Sequence, residues 1–181
     1  TGTHLNDIAR RFGFAFRYDC LFGIDSSFEQ LWRPPLVPHP IVQHMPPMDF
    51  AVSCSIRPGA RRGWAVIRST GLWNLPADYH VSNYYPQVED HAYARYGAFI
   101  QLWATQAGAG RVAAFTDSTI FSNFSTFEPG KAELMLGTLE WLNHDKAAVD
   151  WRPSLLALAT AAGAAGLATM RRQRGACVMA L

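Results

Sequence analysis

Between Tyr96 and Asp117 the chain reads YGAFIQLWATQAGAGRVAAFTD, two apolar runs divided by Ala-Gly-Ala-Gly. Aromatic and β-branched residues fill the runs, and glycine at the divide permits the reversed backbone of a tight turn. The stretch therefore predicts two strands joined by a glycine-rich turn. The second strand stops at Asp117-Ser118, and a Ser/Thr/Asn-rich loop follows. Enzymes built on α/β sheets often keep catalytic groups at such a strand end, so these two residues are the first candidates for chemistry.

The rest of the chain supplies partners for these strands. Thr3 is placed to cap a helix over HLNDIARRFG, with Leu5, Ile8, Ala9 and Phe12 on one face and Gly13 at its end. FAFRY reads as a short strand. Residues 20–48 carry six prolines and read as irregular, apart from a short helix around HPIVQ. FAVSCSI (50–56) and GWAVIRS (63–69) alternate like a pair of strands joined by RPGARR. After Pro129-Gly130, KAELMLGTLEWLNH predicts a broadly apolar helix lying on a sheet. The order of elements suggests a three-layer α/β domain with some antiparallel edge strands.

With 49% hydrophobic residues the chain is not a disordered one. Its net charge of +2 hides a mildly acidic body. Residues 1–150 hold 12 Lys/Arg against 14 Asp/Glu, and the excess lies in Arg152, Arg171, Arg172 and Arg174. A body of this charge argues against a nucleic-acid partner. Residues 154–170 contain no charge, follow Trp151-Arg152 and precede RRQR. That pattern reads as a transmembrane helix with Arg171–Arg174 on the cytoplasmic side, the alternative being a buried soluble helix. The expected organisation is a domain over 1–147, a linker over 148–153, a span over 154–170, and a cytoplasmic turn over 171–181 open to reading as the start of a second span. The expected location is the bacterial cytoplasmic membrane, with residues 1–150 outside.

GRVAAFTDSTIFSNF followed by PGKAELMLGTLEWLNH resembles the closing segment of glutamine-amidotransferase-like extracytoplasmic domains of bacterial membrane proteins, the DUF4350 and ABC-transporter auxiliary type. LNDIARRFGFAFRYD and HPIVQHM are similar to further motifs of that group, so the likeness runs over most of residues 1–143. It implies a flavodoxin-like sheet whose first strands precede Thr1, and tethering to the lipid bilayer through 154–170. Amidotransfer itself needs a cysteine on a tight, glycine-flanked strand-to-helix turn. Cys20 in YDCLF and Cys54 in VSCSI both lack that flank, and Cys54 in mid-strand should be packed. The two are read as buried thiols, a disulfide between them being the alternative.

Other constellations point to a non-catalytic chain. A serine hydrolase at Asp117-Ser118 would need a histidine base, with His91 or His144 as candidates. The structural alternative has Asp117, Ser118, Ser122 and Asn123 organising their loop through amide hydrogen bonds. His39, His44, Asp78, His80, Glu89, Asp90 and His91 show no metal-ligand spacing, so no metal and no cofactor are expected. The aromatic segment 73–96 is either a binding platform or packing over the sheet edge. The function expected is a membrane-anchored extracytoplasmic binding domain, taking a membrane-protein partner or a ligand in an envelope or transporter-associated assembly. A serine hydrolase or a degenerate amidotransferase is the alternative.

Overall fold

A computed structural model describes residues 2–27, 29–51, 53–78, 86–89, 91–123 and 125–143. The chain divides into a unit Thr1–Asp145 and a unit Lys146–Leu181, and the second lies outside the described residues.

Eight strands are described: β1 (Phe14–Phe16), β2 (Asp19–Gly23), β3 (Glu29–Trp32), β4 (Met48–Ala51), β5 (Ile56–Pro58), β6 (Gly63–Pro76), β7 (Arg95–Ala107) and β8 (Gly110–Phe115). Helix α1 (Gly2–Ala9) precedes them and helix α2 (Lys131–Leu142) follows, with 3-10 turns at Arg10–Phe12, Pro40–Val42 and Thr119–Phe121. Six strands form one sheet in the order β1-β5-β7-β6-β2, with β8 also on β7, while β3 and β4 form a separate pair. Every strand pairing is antiparallel.

This corrects the three-layer, flavodoxin-like α/β fold expected from the sequence. Parallel strands need crossover connections of a dozen or more residues, usually helical. Here β7 turns into β8 through Gly108-Ala109 alone, with Ala107 opposite Gly110 and Gly108 at φ 62°. The only α-helices among the described residues stand at the two ends of the strand series, so there is no helical layer on each face of a parallel sheet. The expected pairing of FAVSCSI with GWAVIRS is also overturned. FAVSCSI breaks into β4, which joins β3, and β5, which joins β1 and β7, while β6 lies between β7 and β2. Residues 20–23 and 29–32, expected to be irregular, are strands.

The break in FAVSCSI has a polar cause. Leu21 N donates to Ser53 O (2.9 Å) and Arg17 N to Ser55 O (2.8 Å), so residues 53–55 run beside the β1–β2 connection. Gln101 Nε2, from the middle of β7, donates to Ser53 Oγ (2.7 Å) and to Gln30 Oε1 on β3. Ser69 Oγ on β6 donates to Gln101 Oε1, and Gln30 Nε2 donates to Leu21 O (2.9 Å). These side chains are buried, and burying such groups without partners costs about 1–3 kcal/mol each. Their mutual satisfaction therefore selects this arrangement of strands.

The main apolar core lies between the sheet and the 3-10 turn at Pro40–Val42 with α2, centred on Val42, Met48, Ile67, Leu102 and Leu134. A second cluster joins Ala9, Phe14, Ile56, Trp103 and Ala114. Thr3 stands inside α1 rather than capping it. Leu5 and Ile8 are exposed, and Asn6 turns inward instead, donating to Phe16 O (2.9 Å) and accepting from Phe16 N (2.8 Å). Two bonds to a strand edge thus set the face of α1. On α2, Leu134 and Trp141 are buried while Leu136 and Leu139 are exposed, so only one side of that helix is covered.

No helix among the described residues is long and apolar enough to cross a membrane. The transmembrane helix and the cytoplasmic-membrane location are corrected accordingly: the segment 154–170 and Arg171–Arg174 lie outside the described residues, and the fold lends them no support.

Gly137 decides how closely α2 approaches the 3-10 turn, because a Cβ there would collide with the carbonyl oxygen of Ile41. In an exposed helix Gly→Ala is stabilising by about 1 kcal/mol. At position 137 the clash is with backbone, which cannot swing away, and overpacking of this kind costs about 1–3 kcal/mol. We expect Gly137→Ala to lower stability, read as a fall in the urea midpoint with an unchanged m-value.

Candidate functional site

Asp117 follows β8 and is 3% exposed, and its Oδ1 accepts from Thr119 N (2.9 Å). Ser118 is exposed at the head of the Thr119–Phe121 turn, and its carbonyl accepts from Phe121 N (3.2 Å). Ser122 Oγ donates to Thr119 O, and Ser122 O accepts from Ser125 N (3.0 Å), Thr126 N (2.9 Å) and Thr126 Oγ1 (2.8 Å). Asn123 is exposed in the next turn. The loop ends on the buried ammonium of Lys131, which meets Ser125 Oγ and the carboxylate of Glu128. That pairing holds the Glu128 carboxyl below the usual carboxylate range.

The histidines named from the sequence stand elsewhere. Thr116 N donates to Gln101 O, and the strand residues Arg95 to Gln101, spanning about 20 Å at strand rise, lie between that bond and the turn carrying His91. His91 Nδ1 accepts from Tyr93 N (3.2 Å). His144, His80 and Asp90 lie outside the described residues. His39 packs between the rings of Trp64 and Trp141 at 5.6 and 5.3 Å, and its Nδ1 accepts from Ile41 N (3.3 Å) at the start of the 3-10 turn. No group of three His, Cys, Asp or Glu that could hold a metal ion occurs among the described residues. Trp73 is buried in β6 and stacks on Tyr96 across the strand pair at 5.5 Å, so this part of the aromatic segment is packing.

Both described cysteines are free. Cys20 is buried in β2, and Cys54 lies in the connection between β4 and β5 rather than in mid-strand. Burial, followed by the nearby Asp19 charge, pushes both thiols up to about 12. A nucleophilic cysteine needs the opposite environment, one that favours the thiolate.

The structure gathers a different set of residues, which the sequence reading passed over. Segments 10–17 and 57–62 with Arg95 contain seven arginines and no acidic residue. Three of them, Arg10, Arg57 and Arg61, line a cleft of about 400 Å³ together with Phe14, Ala15 and Pro58. Arg17 and Arg95 line a second cleft of about 270 Å³ with Ser55, Tyr96 and Phe99, and Pro58 borders both. The second cleft opens where β5 leaves β7, since the two strands pair only at Ile56 and Ile100. The single ion pair among the described residues is Lys131–Glu128, so none of these five guanidiniums is neutralised by a described carboxylate.

Local backbone geometry builds the first cleft. Gly13 ends the Arg10–Phe12 turn in the left-handed region at φ 81°, and its N–H returns to Arg10 O (3.1 Å). Arg61 packs directly against Gly13, where a Cβ would collide with the arginine stem. Gly59 N donates to Gly13 O (2.8 Å), clamping the Pro58–Arg61 loop to the end of α1. The sequence signals were Arg10-Arg11 and RPGARR; their meeting depends on the pairing of Ala15 with Arg57.

Two measurements follow. Moving a thiol from 9.0 to about 12 removes about 1,000-fold of its thiolate at pH 8. Iodoacetamide should therefore leave Cys20 and Cys54 unmodified in the native chain over times that label both fully in denaturant, as read by peptide mass spectrometry. For His39, burial first and the Arg111 charge second hold the imidazole below its ordinary 6.5. The unfolded chain then binds the extra proton as pH falls below about 6.5, so stability drops through that window until the lower folded value is reached. Melting temperatures between pH 7.5 and 5 should fall in the parent and flatten in His39→Asn, which keeps an acceptor for Ile41 N. No family model, curated protein or solved structure matches this chain.

Proposed function

We propose that this domain is a non-catalytic binding module whose arginine-bearing end engages an acidic partner. The observation that carries the reading is the set Arg10, Arg17, Arg57, Arg61 and Arg95, lining two adjoining clefts without a described counter-charge. Like charges gathered this way repel one another, and an anionic surface or ligand relieves that repulsion. Guanidinium forks suit carboxylate and phosphate oxygens, which accept two parallel hydrogen bonds. The state of the candidate nucleophiles supports a binding role over chemistry. The two described thiols are held protonated, and Ser118 is turned outward on a loop whose buried carboxyl caps a backbone amide.

Polyglutamate serves as a model acidic surface. We expect binding that weakens with salt and falls at least 10-fold when Arg17, Arg57 and Arg95 are together replaced by alanine. A fluorophosphonate probe should leave Ser118 unlabelled. Covalent labelling of Ser118, or polyglutamate binding indifferent to the three arginines, would overturn the reading.

A further inference from the structure

The two clefts differ in what surrounds their charge, and the difference bears on the ligand. The Arg10–Arg57–Arg61 cleft is lined by arginines from three separate segments: the turn after α1, strand β5 and the loop after it. All three side chains are exposed and none has an ion pair among the described residues. A single carboxylate carries one charge and would leave two of them unmatched. A phosphomonoester carries about −1.5 to −2 at pH 7 and three acceptor oxygens, enough to engage three forks at once.

The remaining wall is apolar. Phe14, Ala15, Pro58 and Ala60 line the same cleft, whose volume of about 400 Å³ lies within the range of small-molecule sites, ~300–1,000 Å³, and leaves room beyond a phosphoryl group. The loop carrying Arg61 is held by Gly59 N to Gly13 O, and Arg61 itself is seated against Gly13. Arg61, seated on Gly13, and Arg10, whose carbonyl accepts from Gly13 N, are thus tied to the same short turn. A loop fixed before the ligand arrives loses less entropy on binding.

The geometry points to the Arg10–Arg57–Arg61 cleft as a binding site for a small organic phosphomonoester, its phosphoryl group on the guanidiniums and its apolar body against Phe14 and Pro58. This assignment rests on the arginine end being a binding surface, and it names the ligand chemistry of one of the two clefts there. Binding weakens as the phosphoryl group takes up its second proton below about pH 6.

Calorimetric titration of the full 181-residue chain with phenyl phosphate, inorganic phosphate and benzoate separates the contributions of charge and body. We expect one site for phenyl phosphate, at least 10-fold tighter than for inorganic phosphate or for benzoate. Arg57→Ala and Arg61→Ala should each weaken it at least 10-fold, and Arg57→Lys, which keeps the charge and loses the fork, should weaken it less. Arg68→Ala, an exposed arginine outside both clefts, should leave it unchanged. Benzoate matching phenyl phosphate, or binding insensitive to Arg57 and Arg61, would overturn the assignment. A phosphotyrosine peptide or a single-stranded oligonucleotide binding more than 10-fold tighter than phenyl phosphate would also overturn it, assigning the cleft to a macromolecule. If phenyl phosphate fails while polyglutamate still binds through the arginines, this assignment falls and the wider reading stands. If both fail, both fall.

Discussion

The sheet depends on a buried polar seam. Asp19, at the start of β2, is 3% exposed, and its carboxyl accepts from Ser55 N (2.8 Å), Ser55 Oγ (2.6 Å) and Asn74 Nδ2 (2.9 Å). Asn74 Oδ1 in turn accepts from Arg95 N (2.8 Å) at the start of β7. One carboxyl therefore joins β2, β6, β7 and the connection leading into β5. The Gln101–Gln30–Ser53–Ser69 cluster continues the seam toward the middle of the sheet. A carboxyl removed from water loses its hydration, at a penalty of several kcal/mol if it is charged, and only well-placed donors offset that loss. Such a seam specifies register more sharply than apolar contact can, because a slip by one residue leaves every member unpartnered.

The seam also explains where the arginine clefts come from. Holding Ser55 against Asp19 bends the chain out of β4's sheet and into β5, which pairs with β1 along its length and with β7 only at Ile56. Beyond that pair β5 and β7 are not bonded to each other, and Arg17 and Arg95 line the cleft there. Beside it, the close approach of Gly59 to Gly13 brings the Arg57–Arg61 loop to the turn bearing Arg10. The charge concentration is a by-product of how the polar core is satisfied, which ties the arginine clefts to the stability of the sheet. After β8, the Ser/Thr/Asn loop is ordered by its own amides and by Lys131, with Asp117 in a capping position.

Much of the local structure was legible in the sequence. The β7–β8 turn at Ala-Gly-Ala-Gly, the end of the first helix at Gly13, the short helical turn inside HPIVQ and the helix over 131–142 all follow from residue type and spacing. The errors share a cause. Residues 20–32 looked irregular because prolines follow them closely, yet β2 is buried along its whole length between β6 and the 53–55 segment. The face of α1 is not the one its hydrophobic pattern predicts: Leu5 and Ile8 outweigh Asn6 in that pattern, while the two hydrogen bonds of Asn6 to Phe16 outweigh them in the fold. A body that sums to mild acidity gave no hint of a local cluster, since net charge carries no information about position.

By itself the sequence determined which segments extend, which coil and where the backbone must reverse, because those properties depend on neighbours within a few residues. It also determined that the described cysteines lack a glycine-flanked elbow. Only the tertiary structure decided that the strands run antiparallel, that FAVSCSI serves two sheets, and that arginines 10, 57 and 61 share one cleft. Those outcomes depend on satisfying buried polar groups that lie tens of residues apart, and the choice among strand pairings is made by that long-range requirement.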